Sequence, residues 1–302
     1  MQTAQALKRT IAVAEELHSV VKTMKALAGV NIRQYERAAH AVAEYNRTIE
    51  MGLQVALKKI PTHLLMPGKD SAGPGLGAII FGSDQGMCGQ LNDQVVTYAA
   101  RALKKLAYRH SEQAMAAVGI RAAAKLEGLG RVVETSVAVP VSVAGITQAV
   151  EDVLRKIDEW HTQRGIDLVV LFYARPVSGA WYRIHGVRLL PVDEEWINGL
   201  RARRWPSRVA PMFTMDETQL FQALIHEYLF VSLFRAFAES LASENASRLA
   251  SMQVAERNIE DHLRALSTEA RQSRQMTITS ELLDIIAAFE ALRGKEKKRA
   301  PG

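Results

Sequence analysis

The 302-residue chain has a single cysteine, Cys88, so it can form no disulfide within itself, which fits a reducing compartment. Aromatics are scarce at 6% against 48% hydrophobic residues overall, and much of the apolar content is alanine, a bias that suits closely packed long helices better than a bulky globular core. No stretch reads as the roughly 20 consecutive apolar residues that span a bilayer. Glu15 and Glu16 stand where a secretory leader would carry its apolar region, so a signal peptide is not expected. Histidines and cysteine show no metal-ligand spacing, and no H-E-x-x-H or paired cysteine occurs, so no metal is expected.

Charge is also undistinguished. The formal net charge of +6 divides into +4 over residues 1–60, +4 over 61–215 and −2 over 216–302, too diffuse for a nucleic-acid surface. Its densest basic spot is Arg201, Arg203, Arg204 and Arg208 around Trp205, which reads as a solvated loop, with an acidic partner or lipid headgroups as the next reading.

Proline and glycine are absent where it matters most. Before Pro61 there is no proline, and only Gly29 and Gly52 interrupt the first block. Ala4, Leu7, Ile11, Ala14, Leu17, Val21, Met24, Ala28, Ile32, Tyr35, Ala39, Val42, Tyr45, Ile49, Leu53 and Ala56 recur at alternating threes and fours, a single stripe with a period near ~3.5 residues. About 55 helical residues would extend roughly 80 Å. The last block has no glycine between Gly199 and Gly294 and no proline between Pro211 and Pro301. Thr214 or Asp216 can cap it, and a second stripe runs from Leu220 through Leu249, Met252, Ile259 and Leu266 to Ile278, Leu282, Ile285 and Phe289. About 75 residues would reach roughly 110 Å.

Helices of that length far exceed the usual ~11–12 residues, and each stripe needs a partner. The readiest partner is the other stripe, in an antiparallel coiled coil, with the C-terminal helix overhanging its mate beyond about Ala255. Between them the pattern changes. Strands are expected at Leu76–Phe81, Ala114–Gly119, Val132–Val139, Ile166–Tyr173 and Tyr182–Leu190, and helices at Leu91–Ala107, Ile120–Glu127 and Ile146–Gln163. Residues 61–75 and 193–213 read as connectors. The expected fold class is therefore α/β plus long α, with a small, mainly parallel, Rossmann-like α/β domain inserted between the coiled-coil helices. The expected organisation is an N-terminal helix over 1–60, the α/β domain with its connectors over 61–213, a C-terminal helix over 214–293 and a basic disordered tail over 294–302.

The segment Gly82-Ser-Asp-Gln-Gly-Met-Cys-Gly89 follows a strand and precedes a helix, the place where phosphate loops sit. It carries no G-x-x-x-x-G-K-[ST] or G-x-G-x-x-G pattern, so it reads as a tight turn rather than a nucleotide cradle. Cys88 within it reads as a structural thiol. No catalytic constellation stands out.

Three segments give the chain a family resemblance. The first holds Ile11, the run Val20-Val-Lys-Thr-Met24 and Arg33. The second, Ser83-Asp-Gln-Gly-Met-Cys-Gly-Gln-Leu-Asn92, is similar to T-D-R-G-L-C-G-x-L-N. The third runs from Glu239 to Arg248 through Met252 and Asn258 to Arg274-Gln275-Met-Thr-Ile-Thr-Ser-Glu-Leu282, similar to R-Q-x-x-I-T-x-E-L. Together they resemble the gamma subunit of F-type ATP synthases over nearly the whole length. Gln85, Lys25, Gly29-Val-Asn31 and Glu256-Arg257 depart from the family pattern and mark a divergent bacterial member.

The resemblance implies a central rotor shaft with no catalytic site and no cofactor of its own. Its implied partners are the alpha and beta subunits of a catalytic head, an epsilon subunit and a membrane c-ring, with no nucleic acid. It places the chain peripherally on the cytoplasmic side of a bacterial inner membrane. It also implies head contacts at Arg248 and Gln275, and at Lys22 and Met24, with an apolar bearing at Ile285 and Phe289. The competing readings are a non-catalytic coiled-coil scaffold of another assembly and a nucleotide-dependent enzyme built on the α/β domain.

Overall fold

A computed structural model describes residues 4–58, 75–106, 108–109, 112–177, 180–207, 209 and 211–297, with side chains for all of these except 4, 180–181 and 289–297. The elements run α1 (Ala4–Leu57), β1 (Leu76–Phe81), α2 (Leu91–Lys105), β2 (Gln113–Val118), α3 (Ile120–Gly128), β3 (Thr135–Val137), α4 (Val143–Arg164), β4 (Leu168–Val177), β5 (Ala180–Leu190), α5 (Glu194–Ala202) and α6 (Glu217–Lys297). Contacts divide the chain into two compact units, Met1–Ala26 with Met252–Gly302, and Leu27–Ser251.

The larger unit is built on a five-stranded sheet of order β3-β2-β1-β4-β5. β1 pairs in parallel with β2 and β4, and β2 with β3, while β5 returns antiparallel against β4. Every residue of β1 and β2 is buried, as expected when helices cover both faces of a parallel sheet. Alternation sorts their side chains. Ala78, Ile80, Met115, Ala117, Val170 and Phe172 meet α2 and α3 on one face. Ile79, Phe81, Ala116, Val118, Leu171 and Tyr173 meet α4 and α6 on the other, where Phe81 sits edge-on to Phe237 with ring centroids 4.9 Å apart.

α6 is therefore a core element of this unit. Residues 236–245 are buried on every side, although the run includes Glu239, Ser240, Ser243, Glu244 and Asn245. Small side chains let the sheet approach from one direction, and Tyr35 of α1 is packed into the same cluster. Lower on the pair, Ile49, Leu53 and Leu57 of α1 meet Val231 of α6 and Ile197 and Leu200 of α5. Burying each such aliphatic side chain contributes about 1.5–3 kcal/mol.

Several sequence expectations shift. The strand expected over Val132–Val139 contracts to three residues on an open edge. The helix expected from Ile146 begins at Val143 and ends at Arg164, where Gly165 takes the left-handed conformation that closes a helix. The strand expected over Ile166–Tyr173 is Leu168–Val177, and the one expected from Tyr182 begins at Ala180. α5 falls within the connector expected at 193–213; the Asp193 side chain caps it by accepting from the Glu195 N–H. Asp216 rather than Thr214 caps α6, its Oδ1 accepting from the N–H groups of Thr218 at 2.9 Å and Gln219 at 3.2 Å. Gly294–Lys297, expected in a disordered tail, continue α6, and residues 298–302 lie outside the described set.

α6 also corrects the reading on membrane spans: a window of mean hydropathy 1.2 within Glu217–Ala288 is long and apolar enough to cross a bilayer by length and composition. In the fold, Leu229, Phe230, Val231, Leu233, Phe234 and Phe237 of this helix pack against the sheet, α1 and α5 instead.

The seam of α1 keeps a strict rhythm. Leu7, Ala14, Val21, Ala28, Tyr35, Ile49 and Ala56 are buried, all on one seven-residue spacing that Val42 continues at intermediate exposure. The second seam position, four residues after each of these, falls on Ile11, His18, Lys25, Ile32, Ala39, Asn46 and Leu53. Leu17 and Tyr45, expected in the stripe, are about half exposed. Three polar residues thus hold seam positions that the hydrophobic count assigned to their neighbours.

Candidate functional site: the helix pair and the loop docked on it

The glycine-rich turn between β1 and α2 is closed by its own side chains and by α6. The Ser83 N–H donates to Asn92 Oδ1 at 3.0 Å, and Asn92 Nδ2 donates back to Ser83 Oγ at 2.8 Å and to Cys88 Sγ at 3.4 Å. Asp84 reaches across the β-strand ends, accepting from the Ile120 N–H at 2.9 Å and the Val139 N–H at 2.8 Å. A carboxylate thus takes two backbone N–H groups there. Cys88 is buried, held by Ser83 and Asn92.

The loop then docks on α6. Ser247 Oγ donates to the Cys88 carbonyl at 2.6 Å. Gly89 has φ of +59°, and a Cβ there would lie 3.2 Å from the hydroxyls of both Ser247 and Ser251. Only glycine meets both demands at once, left-handed backbone and direct approach to a helix surface lined with serine.

Arg248, expected as a head contact, is 8% exposed and committed inside this unit. It donates to Glu244 Oε1 at 2.5 Å and to the Gln85 carbonyl at 3.5 Å. Burial pushes the Glu244 carboxyl above its ordinary value; Arg248 opposes this, and Asp84 adds to it. One turn before lies a second cluster: Glu239 pairs with Arg235 at 2.8 Å and Arg175 at 3.4 Å, beneath Tyr173, whose phenol is pushed up to about 12 by burial and the Glu239 charge. The sequence reading missed both clusters, although each carries the Glu/Arg four-residue spacing that forms ion pairs on a helix.

In the smaller unit α1 and α6 pair antiparallel. His18 faces Glu260 at 3.5 Å and Lys25 is bonded to Glu256, so residue numbers rise on one helix as they fall on the other. Met252 and Leu266 are buried on the α6 side and Leu7, Ala14 and Val21 on the α1 side. The paired stretch therefore extends well past Ala255, and the overhang begins near Arg274, from which every described residue to 288 is exposed. That segment bears Met276, Ile278, Leu282, Leu283, Ile285 and Ile286, a concentration of exposed apolar groups that marks an interaction surface.

The predicted contact residues fall at different levels. Lys22 is exposed and Met24 partly buried, both within the paired stretch. Gln275 is exposed at the start of the overhang, and Ile285, at 66% exposure, lies within it. Phe289 continues α6, with its side chain outside the described set.

Known proteins share this arrangement. A family model described as ATP synthase matches residues 3–292. The ATP synthase gamma chain of Rhizobium johnstonii is 24% identical, over 97% of this chain and 100% of its own, and that of Magnetococcus marinus is 26% identical over the same shares. Among solved structures, a chain of the Euglena gracilis mitochondrial ATP synthase in its OSCP/F1/c-ring assembly superposes with a TM-score of 0.68 at 18% identity, covering 99% of this chain and 98% of that one. A chain of the rotor of the same enzyme gives 0.60 at 18% identity, over 91% and 98%. With a match spanning nearly every residue, both long helices and the sheet between them, the chain belongs to the ATP synthase gamma-chain family.

Proposed function

We infer that this chain is the central rotor shaft of an F-type ATP synthase, coupling ion flow through a membrane c-ring to ATP synthesis or hydrolysis in partner beta subunits. The observation that carries the reading is the projecting end of α6, bare of α1 from about Arg274 and rich in exposed apolar side chains, on a chain whose family is established. The chain is thereby a component of an ATP synthase, and ATP chemistry is assigned to the beta subunits. The glycine-rich turn supports that division, since its polar groups are spent on Asn92, on the Ile120 and Val139 N–H groups and on α6.

The mechanism follows from asymmetry. A pair of unlike helices cannot present the same surface to three surrounding beta subunits, so each orientation favours a different site conformation, and turning the shaft redistributes those conformations in sequence. Lys22, Met24 and Gln275 are the proposed side contacts with the head, and Ile285 and Phe289 the proposed apolar bearing. Arg248, facing inward, is the proposed lock between α6 and the loop at Gln85. The sheet unit is the proposed docking foot for an epsilon subunit and the c-ring. The proposed location is the cytoplasmic face of a bacterial inner membrane, held there peripherally through the ring.

Reconstitution tests the reading. An alpha/beta hexamer is assembled with and without the full chain, and ATPase turnover and single-molecule rotation are recorded. The expected result is one chain per hexamer and unidirectional rotation. Lys22→Ala and Gln275→Ala are each expected to weaken the interaction by about 1–2 kcal/mol. Failure to co-purify with the hexamer, or assembly at another stoichiometry, favours a scaffold of a different assembly.

A further inference from the structure

In the smaller unit, His18 sits at a seam position of the helix pair, where an aliphatic side chain is the ordinary choice. Its Nε2 is buried and makes no hydrogen bond. The nearest acidic oxygen, Glu260 Oε1, is 3.5 Å away, beyond a good N–H···O bond of about 2.7–3.2 Å. Glu256 stands four residues before Glu260, on the same face of α6. One ligand atom from each of His18, Glu256 and Glu260 lies within 4.8 Å of the other two, the only such trio among the described residues.

The His18–Glu260 separation has a simple chemical reading. Two ligands on a tetrahedral zinc, with bonds of about 2.0–2.2 Å, stand roughly 3.3–3.5 Å apart. A separation too long for a hydrogen bond is thus close to what a shared ion requires. One imidazole with two carboxylates suits Zn²⁺, whereas Mg²⁺ and Ca²⁺ demand six or more oxygens. We propose that His18, Glu256 and Glu260 form a divalent transition-metal site bridging α1 and α6, with Zn²⁺ its natural occupant and a fourth position open to water.

The site has built-in competitors. Lys25 is bonded to Glu256 Oε2, Lys22 acts on the same carboxylate, and Arg264 lies 3.9 Å from Glu260 Oε2. A metal must share Glu256 with Lys25 or displace it, so removing the ammonium strengthens binding. An occupied site ties the two helices together across a polar layer of the seam and raises the resistance of the pair to separation.

Equilibrium dialysis of the full chain against Zn²⁺, and against Co²⁺ as a visible-absorbing substitute, tests this independently of any ATPase readout. The expected result is one ion per chain, with the stronger visible absorption of tetrahedral Co²⁺. His18→Ala and Glu260→Gln each lower affinity at least about tenfold, while Lys25→Met raises it several-fold. Zn²⁺ raises the melting temperature of the wild-type chain but not of His18→Ala, and far-UV circular dichroism verifies that each variant keeps its helices. No stoichiometric binding, or binding unchanged in both His18→Ala and Glu260→Gln, overturns the proposal and leaves the shaft reading untouched.

Discussion

At the scale of single residues, Gly89 makes the sharpest demand. Its φ of +59° costs any other L-residue about 1 kcal/mol, and an added Cβ at 3.2 Å from two serine hydroxyls forces a hydrogen-bonded loop to shift. Gly89→Ala is expected to lose about 1–2 kcal/mol in urea unfolding. Gly29 is the counterpart, helical and with nothing within 4 Å of where a methyl group would sit, so Gly29→Ala is expected to gain about 0.5–1 kcal/mol. Opposite outcomes in the same unfolding experiment separate backbone demand from mere glycine content. Two carboxylates, Glu134 at the surface and Glu244 buried, give opposite pH behaviour. Burial alone would raise Glu134, but Trp160 Nε1 at 2.9 Å, Arg164 and Lys156 outweigh it and hold the carboxyl below its ordinary value. Its contribution is therefore present above the unfolded-chain value and lost as pH falls through the depressed one. Glu134→Gln should cost no more than about 0.5–1 kcal/mol at neutral pH, since solvent screens a surface carboxylate, and the difference shrinks on acidification. Glu244, raised by burial, works in the other sense: its neutral form favours the fold at low pH, and that advantage fades as pH rises through its folded value. Stability curves of the wild type and Glu134→Gln across the acid range measure the first directly.

At the scale of elements, the two long helices were legible because proline and glycine are missing from them and apolar residues recur at coiled-coil spacing. The seam was legible in its buried seven-step, Leu7 to Ala56, and at Ile11, Ile32, Ala39 and Leu53 of the other position; the rest of that position hides behind His18, Lys25 and Asn46, which no count of hydrophobic residues selects. Residues 236–245 were misleading for the opposite reason. Their Glu, Ser and Asn side chains look solvated, yet internal bonds such as Ser243 to the Glu239 carbonyl at 2.8 Å let them be buried. α5 was lost because nine residues offer too little periodicity, leaving the Asp193 cap as its one signal. The overhang was placed too early because apolar spacing runs on past Ala255, while the ion pairs that hold the mate there are polar. Truncation after Arg274 removes only residues that are exposed among those described, so the thermal melt is expected to shift by less than about 0.5 kcal/mol equivalent. A large loss of stability would mean that the segment packs onto the chain itself.

At the scale of the molecule, the turn between β1 and α2 illustrates how far fold and function can be read separately. Its position resembles that of a phosphate loop while its composition does not, and its bonds make the loop a fastener between sheet and long helix. The candidate contacts came from family likeness rather than from pattern, which is why Arg248 could be singled out while its burial and its Glu244 partner went unseen. The seven-residue spacing along α1 carries one further consequence. Within the smaller unit, a seam repeating every seven residues at Leu7, Ala14 and Val21, on helices of ~3.6 residues per turn, drifts and favours a left-handed wrap. Such a winding has a preferred sense: torsion applied with it tightens the groove around each buried side chain, and torsion against it opens the groove. Clockwise and anticlockwise loads are then mechanically unequal for this pair, so a drive spring built from it would store elastic energy differently in its two directions of travel.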